Sequence, residues 1–377
     1  MDFTAGEAET EVSLLAAQVL AARNRQPART EAASRTDDDD DRLWKELGHS
    51  GLLSLAVPVE LGGDGLGVQA TAAVLTEVGR HAAEIPALAT LALGVLPVAR
   101  AADPAVRRHL LAGVAAGNTV LTAAIREPSD PLPTVPRSTV AGGAISGVKV
   151  GVPDAAAARW ILVPASAADS AEGVVAVIEP GGAGVSCERT RSSSGRPEYT
   201  LRLDRAPVRY LLDGCDPATV YRFAIAGICA VADGVLAAAL ELTTEHVRSR
   251  QQFGRPLATF QAVAQQIADV YSVARTVHLA TLSACWRLDT AAGDAGTAAG
   301  NTGTAAGNTG TAAGNTETAV AAYWLARYGP AALRTCHQLH GGLGMDVSYP
   351  LPRYSALMTD LVAMLGGADS ALDRLEA

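Results

Sequence analysis

Along the first third of the chain, apolar positions recur at helical spacing. Leu14, Leu15, Val19 and Leu20 form one stripe. Leu43, Trp44 and Leu47 form another, behind the acidic run Asp37 to Asp41. That run reads as a solvated helix start whose charges suit the helix dipole. Pro58-Val59-Glu60-Leu61-Gly62-Gly63-Asp64-Gly65 is a turn-rich loop. Two apolar helices follow, near 68–82 and 86–101, and a fifth near 104–113. The pattern changes at about residue 118. From Thr119 to Val208, short β-branched runs are punctuated by Gly, Pro, Ser and Asp. Trp160-Ile161-Leu162-Val163 and Gly173-Val174-Val175-Ala176-Val177-Ile178 are examples, and they predict antiparallel strands.

Asp216-Pro217 then opens a long helix, Asp as N-cap and Pro in the first turn, running to about Ser249. A second long helix is predicted from about Thr259 to Leu288. A third runs from Thr318 to the Gly341-Gly342 pair, with Pro330 as a kink or break. A last one covers about 353–365. A low-complexity segment lies between the second and third, where a seven-residue unit begins at Thr290 and restarts at Thr297, Thr304 and Thr311. No position of the unit carries a large apolar residue, so it is no coiled coil and reads as a flexible surface insertion. The layout is α+β in three parts. Residues 1–117 form an N-terminal helical domain, 118–212 a middle antiparallel β-domain, and 213–377 a C-terminal four-helix bundle interrupted by an insertion at 289–317.

Composition narrows the function. The 377 residues carry a net charge of −9, with 49% apolar but only 4% aromatic residues. Alanine and leucine must supply most of the core, which suits close-packed helices. An acidic chain with scattered arginines lacks the concentrated basic face of a nonspecific nucleic-acid binder. The longest uncharged apolar stretch, Ile85 to Ala99, is short and contains Pro86 and Pro97, so no membrane span is expected. Five cysteines without CxxC spacing, and no basic or apolar leader, point to a reduced, cytoplasmic chain without structural metal.

Two segments are specific. One is Arg248-Ser249-Arg250-Gln251-Gln252-Phe253-Gly254-Arg255-Pro256-Leu257, followed by Phe260-Gln261-Ala262-Val263. The other is Gln338-Leu339-His340-Gly341-Gly342-Leu343-Gly344-Met345, followed by Tyr349-Pro350. With Gly62-Gly63-Asp64-Gly65 and Gly79-Arg80 upstream, and the three-part layout, the chain resembles the acyl-CoA dehydrogenase family over nearly its whole length. The resemblance implies FAD, paired subunits, and α,β-dehydrogenation of an acyl-CoA thioester, with electrons passing on to an electron-accepting flavoprotein. A carboxylate removes the α-proton while a hydride leaves the β-carbon for the flavin. It also implies that one subunit's β-domain holds the flavin ring while a neighbour grips the ADP half through Arg250, Gln252, Phe253, Gln261, Gln338, Gly341 and Gly342. Elementary chemistry agrees: a guanidinium suits a pyrophosphate, and an aromatic face covers adenine or ribose. Plainer readings stay open, namely a surface ion pair for Arg250, core packing for Phe253, and a helix C-cap for Gly341-Gly342. His340 reads as structural.

The sequence also departs from the family. The Thr-Glu-Pro stretch that lines the flavin is here Arg126-Glu127-Pro128-Ser129-Asp130. The Lys-x-Trp-Ile-Thr-Asn run is Lys149-Val150-Gly151-Val152-Pro153-Asp154, so Gly151 replaces the Trp and Pro153 the Thr. The family's two positions for the catalytic Glu fall on Leu365 and Tyr221, neither of which can take an α-proton at neutral pH. Glu241, Glu245 and Asp360 are distant substitutes. What a subunit lends to its neighbour is present, and what it needs for its own site is absent. This pattern resembles the base-lacking subunit of actinobacterial heteromeric (α2β2) dehydrogenases acting on steroid side-chain CoA esters, whose partner subunit carries the Glu. A self-sufficient homomeric enzyme with an unusual base, and a noncatalytic scaffold on the same fold, remain alternatives.

Overall fold

A computed structural model of the chain describes residues 6–24, 37–170, 172–298 and 306–376. These fall into two compact units, one over the described residues of Ala5–Leu75 and Glu84–Gly227, the other over Thr76–Ala83 and Ile228–Ala377.

The first unit opens with helices α1 (Glu7–Asn24), α2 (Asp37–His49) and most of α3 (Val68–Arg80). The acidic run Asp37 to Asp41 is the start of α2 itself, and Leu43, Trp44 and Leu47 are buried on its inner face. A wide helical segment, Leu88–Val95, is entirely buried and runs into the short α4 (Leu96–Ala99). α5 (Pro104–Leu111) is capped by Asp103, whose side chain accepts from the Ala105 N–H.

Strands follow: β1 (Leu121–Ala123), β2 (Arg126–Glu127), β3 (Asp130–Pro131), β4 (Thr139–Ala141), β5 (Ala144–Pro153), β6 (Trp160–Ala167), β7 (Gly173–Ile178), β8 (Val185–Thr190), β9 (Glu198–Pro207) and β10 (Tyr210–Leu211). The main sheet has the order β10-β7-β6-β4-β5-β9-β8, with β1 beside β6. It is not purely antiparallel as expected, because β1 and β4 both pair with β6 in parallel. Neither strand reaches β6 through a hairpin; long excursions intervene, and these permit parallel pairing. β6 is buried along almost its whole length, as its unbroken apolar run requires. Ile145, Val152, Ile161, Ile178 and Leu201 form the centre of this core.

One ion pair is sealed inside it. Lys149 Nζ donates to Glu127 Oε1 at 2.7 Å and to the Pro164 carbonyl at 2.7 Å. The same carboxylate accepts from Ser138 N–H and Oγ and from Arg137 N–H. Lys149 is fully buried and Glu127 nearly so. Burial opposes ionisation of Glu127, but the bonds from Lys149 and Ser138 outweigh it and hold its pKa below the usual value. Burial lowers the Lys149 pKa despite the partner. The charges are retained because the carboxylate accepts four hydrogen bonds and the ammonium donates two.

The second unit is helical: α6 (Pro217–Ser249) from Ile228 on, α7 (Gln261–Ala298), α8 (Ala306–His340), α9 (Leu351–Leu365) and α10 (Gly367–Glu376). Asp216 caps α6 as its sequence predicts, Oδ1 accepting from Thr219 N–H at 2.8 Å. Thr76 to Arg80 of α3 cross α6 at backbone distance. A Cβ on Gly79 would lie 1.9 Å from the Val231 carbonyl oxygen, and one on Gly234 1.8 Å from that of Thr76. Only glycines permit this crossing.

The helices depart from expectation in four places. α6 is long and apolar enough to cross a membrane, but most of its apolar window is buried within the protein. The uncharged-stretch criterion missed it because Asp233 interrupts the run, and that carboxylate is buried against His278 Nδ1 of α7 at 2.8 Å. α8 continues through Pro330 without a break. α10 was not expected; Gly366, left-handed at φ 82°, ends α9 and lets the chain turn into it. The repeat segment 289–317 is not a simple loop. α7 extends into it as far as Ala298 and α8 begins within it at Ala306, while 299–305 lies outside the described residues. An Ala-rich stretch attached to an existing helix escapes the nucleation penalty that a separate segment would face.

Candidate functional site

The first specific segment folds as a hairpin at the end of α6. β11 (Gln251–Gln252) pairs with β12 (Arg255–Pro256), with Gln252 opposite Arg255. That register leaves a two-residue loop, Phe253-Gly254, and both residues have positive φ (54° and 78°). A two-residue turn of this kind matches strand twist, but it usually takes Asn or Gly at the first position. Here it carries Phe253, whose side chain is 92% exposed. A bulky residue held left-handed and in water contributes neither local stability nor core packing. The core reading of Phe253 is therefore overturned.

Its neighbours are aromatic and cationic. The Phe253 ring meets Phe260 edge-on at 6.1 Å, and the Arg255 guanidinium lies 4.1 Å over Phe260. Phe260 directly precedes Gln261, the exposed first residue of α7. Arg250 closes the hairpin through its backbone, accepting from Leu257 N–H and donating to the His246 carbonyl. Its exposed side chain has no ion-pair partner among the described residues, so the surface ion-pair reading finds no support. Arg250, Gln252, Phe253 and Gln261 thus share one solvent-facing corner.

The second segment ends α8. Gln338 is exposed on the last turn. Gly341, left-handed at φ 61°, terminates the helix, so the C-cap reading describes its conformation. Nothing lies within 4 Å of the Cβ that would be added at Gly341 or Gly342, so both glycines face open space. The short turn Gly341–Met345 and the residues after it leave Leu343, Met345 and Val347 exposed.

The two segments meet through a histidine pair. The His246 and His340 rings stack at 4.4 Å, and His340 also packs on Tyr349. His340 Nδ1 bonds the Cys336 carbonyl at 2.8 Å, while its buried Nε2 has no hydrogen-bond partner. Burial is the first cause that lowers both histidine pKa values, and the neighbouring charges of His340 and Arg250 add to it for His246. His246 carried no signal in the sequence; only the fold places it one helical turn before Arg250 and against the second segment.

The residues at the expected base positions are both buried. Leu365 is fully buried at the end of α9, and Tyr221 is buried early in α6. The exposed Glu241 carboxylate is paired with Arg80 Nη1 at 2.7 Å. Glu245 is exposed and Asp360 partly buried. On the β-sheet, Gly151 sits at a register irregularity of β5 with φ 58°. A Cβ there would lie 2.5 Å from Arg126 Nη1 and 3.5 Å from Glu198 Oε2. The Arg126 guanidinium therefore fills the space that a side chain at 151 would enter.

Helices, then a sheet, then long antiparallel helices is the architecture of FAD-dependent dehydrogenases of acyl thioesters. The chain belongs to the acyl-CoA dehydrogenase family: residues 8–118 match the model of its N-terminal domain and 221–370 that of its C-terminal domain. It is 42% identical over 341 residues to the acyl-CoA dehydrogenase FadE28 of Mycobacterium tuberculosis, covering 89% of this chain and 92% of the relative. Among solved structures, the Tcur3481-Tcur3483 steroid ACAD G363A variant is similar at TM-score 0.84 and 32% identity, covering 98% of this chain and 97% of that one. A chain of the ChsE4-ChsE5 complex from Mycobacterium tuberculosis is similar at TM-score 0.83 and 27% identity, covering 100% and 98%. FAD is the cofactor of the family.

Proposed function

We propose that this chain is the flavin-completing subunit of a heteromeric acyl-CoA dehydrogenase, paired with a second subunit that carries the catalytic Glu. The carrying observation is the contrast between two surfaces. The hairpin displays Arg250 without an ion-pair partner among the described residues and Phe253 almost wholly in solvent, while the space over Gly151 is already taken by Arg126.

The donor set of the hairpin fits the ADP half of FAD. Arg250 would fork onto the pyrophosphate, and Phe253 would cover adenine or ribose. Gln252, Gln261 and Gln338 would supply polar contacts, and Gly341-Gly342 would admit close backbone approach. FAD, when bound, supplies the hydride acceptor. This chain's own task is to orient the cofactor held in the partner's β-domain. The partner's carboxylate serves as base, since Leu365 and Tyr221 offer none. One similar structure is titled a steroid ACAD and another a ChsE4-ChsE5 complex, which supports a heteromeric assembly and a steroid side-chain CoA ester as substrate. The α2β2 stoichiometry and a flavoprotein electron acceptor are what the family resemblance implies. We place the assembly in the cytoplasm.

Expression of the chain alone and together with a neighbouring dehydrogenase gene tests this. Flavin and acyl-CoA oxidation on co-expression only are expected. Stoichiometric flavin with turnover in the isolated chain would mean a homomeric enzyme, and neither in any combination would mean a scaffold.

A further inference from the structure

The turn between β8 and β9 encloses a cleft of about 480 Å³ lined by Arg189, Thr190, Arg191, Ser192, Gly195 and Arg196. Three guanidiniums and two hydroxyls face it and no carboxylate does, in a chain whose net charge is −9. The exposed side chains of Arg189 and Arg191 have no ion-pair or hydrogen-bond partner among the described residues. The frame around them is held. Arg189 sits in β8 opposite Tyr199. Ser192 Oγ donates to the Arg196 carbonyl at 2.8 Å, and Arg196 Nη2 donates to the Ile85 carbonyl at 2.6 Å. The Arg196 charge acts on Asp154, whose carboxyl does not line the cleft.

We propose that this cleft is a binding site for a phosphorylated polyanion, a pyrophosphate or phosphomonoester group. Guanidiniums stay charged at every physiological pH, and their paired N–H groups match two oxygens of one phosphate. Two exposed guanidiniums, Arg189 and Arg191, beside the anchored Arg196 favour a multiply charged anion over a carboxylate, and the volume admits a nucleotide-sized ligand. The chemistry has two sources: the phosphates of the CoA substrate named under the proposed function, or a separate phosphorylated metabolite.

The test is titration calorimetry of the purified full chain with inorganic pyrophosphate, CoA and pantetheine, which lacks the phosphates. The variants are Arg189→Ala/Arg191→Ala, the double lysine replacement, and Arg202→Ala as an exposed arginine outside the cleft. Pyrophosphate should bind, and its affinity should fall at least tenfold in the double alanine variant. The lysine pair should restore part of it, and Arg202→Ala should leave it unchanged. A parallel loss for CoA assigns the site to the substrate's nucleotide end; a loss for pyrophosphate alone assigns it to a separate ligand. Absence of pyrophosphate binding at millimolar concentration, or equal loss in Arg202→Ala, overturns the proposal. None of these readouts needs flavin or turnover, so they stand apart from the fate of the subunit assignment.

Discussion

The ring of His246 lies flat on that of His340 at 4.4 Å, and through this contact two segments far apart in sequence become one corner of the molecule. The stack is made by neutral rings, because burial disfavours the charged form of each. A histidine whose folded pKa is lowered takes up its proton first in the unfolded chain. Stability is then full above the ordinary histidine pKa and falls as pH drops through and below about 6.5. Chemical denaturation at pH 7.5 and 5.5 should show this loss, and His340→Phe should reduce it. An identical pH slope in the variant would remove the pair from that role.

Arg250→Ala in the assembled complex should weaken FAD retention without unfolding either subunit. A charge-assisted contact of this kind contributes on the order of 1.5–3 kcal/mol, roughly ten- to a hundred-fold in affinity. Flavin release on dilution measures it, and an unchanged dissociation constant would take Arg250 out of the site.

Phe253→Gly separates presentation from folding. Glycine accepts the left-handed turn without strain, and the exposed ring contributes nothing to the core. The isolated chain should melt at the same or a slightly higher temperature. The assembled complex should lose flavin about tenfold more readily, the loss of a ~1.4 kcal/mol stacking contact. A large drop in melting temperature would show that Phe253 serves the fold.

Lys149→Met leaves the Glu127 carboxylate buried without its partner. Breaking a buried pair from one side costs about 3–5 kcal/mol, whereas replacing both partners by uncharged residues of similar size is often close to neutral. The double variant Glu127→Gln/Lys149→Met should therefore recover most of the stability lost in the single one. Urea unfolding of the wild type, both single variants and the double variant completes the cycle.

Asp154 acts on stability in the opposite direction from the histidines. Burial raises its pKa to about 6, with the Arg196 charge only partly opposing. The folded chain then holds a proton that the unfolded chain has released, so this residue's contribution declines as pH rises from about 4 to 6. Asp154→Asn removes that decline and should stabilise the protein at pH 7.5 by on the order of 1–3 kcal/mol. Asn also tolerates the local φ of 54°. A variant no more stable than the parent at pH 7.5 would place the carboxylate in water.

The parts legible in the sequence are those governed by local chemistry. Asp216-Pro217 announced the start of α6, and the order of helical and strand texture announced the architecture. The paired segments around Arg250 and Gly341 carried the family. What escaped depends on contacts distant in sequence. Asp233 carried no signal in the sequence and is the buried partner of His278. The Thr-Ala-Ala-Gly repeat looked like a linker, yet both flanking helices extend into it. Parallel pairing of β4 with β6 is decided by the path of the intervening chain, which no alternation pattern records.

The packing of Arg126 over Gly151 also bears on how this chain can change over generations. Any side chain introduced at 151 meets a guanidinium at 2.5 Å on a backbone of φ 58°, so it must both move Arg126 and relax the strand. Positions 126 and 151 thus share one space. A change at either position therefore alters what the other can carry.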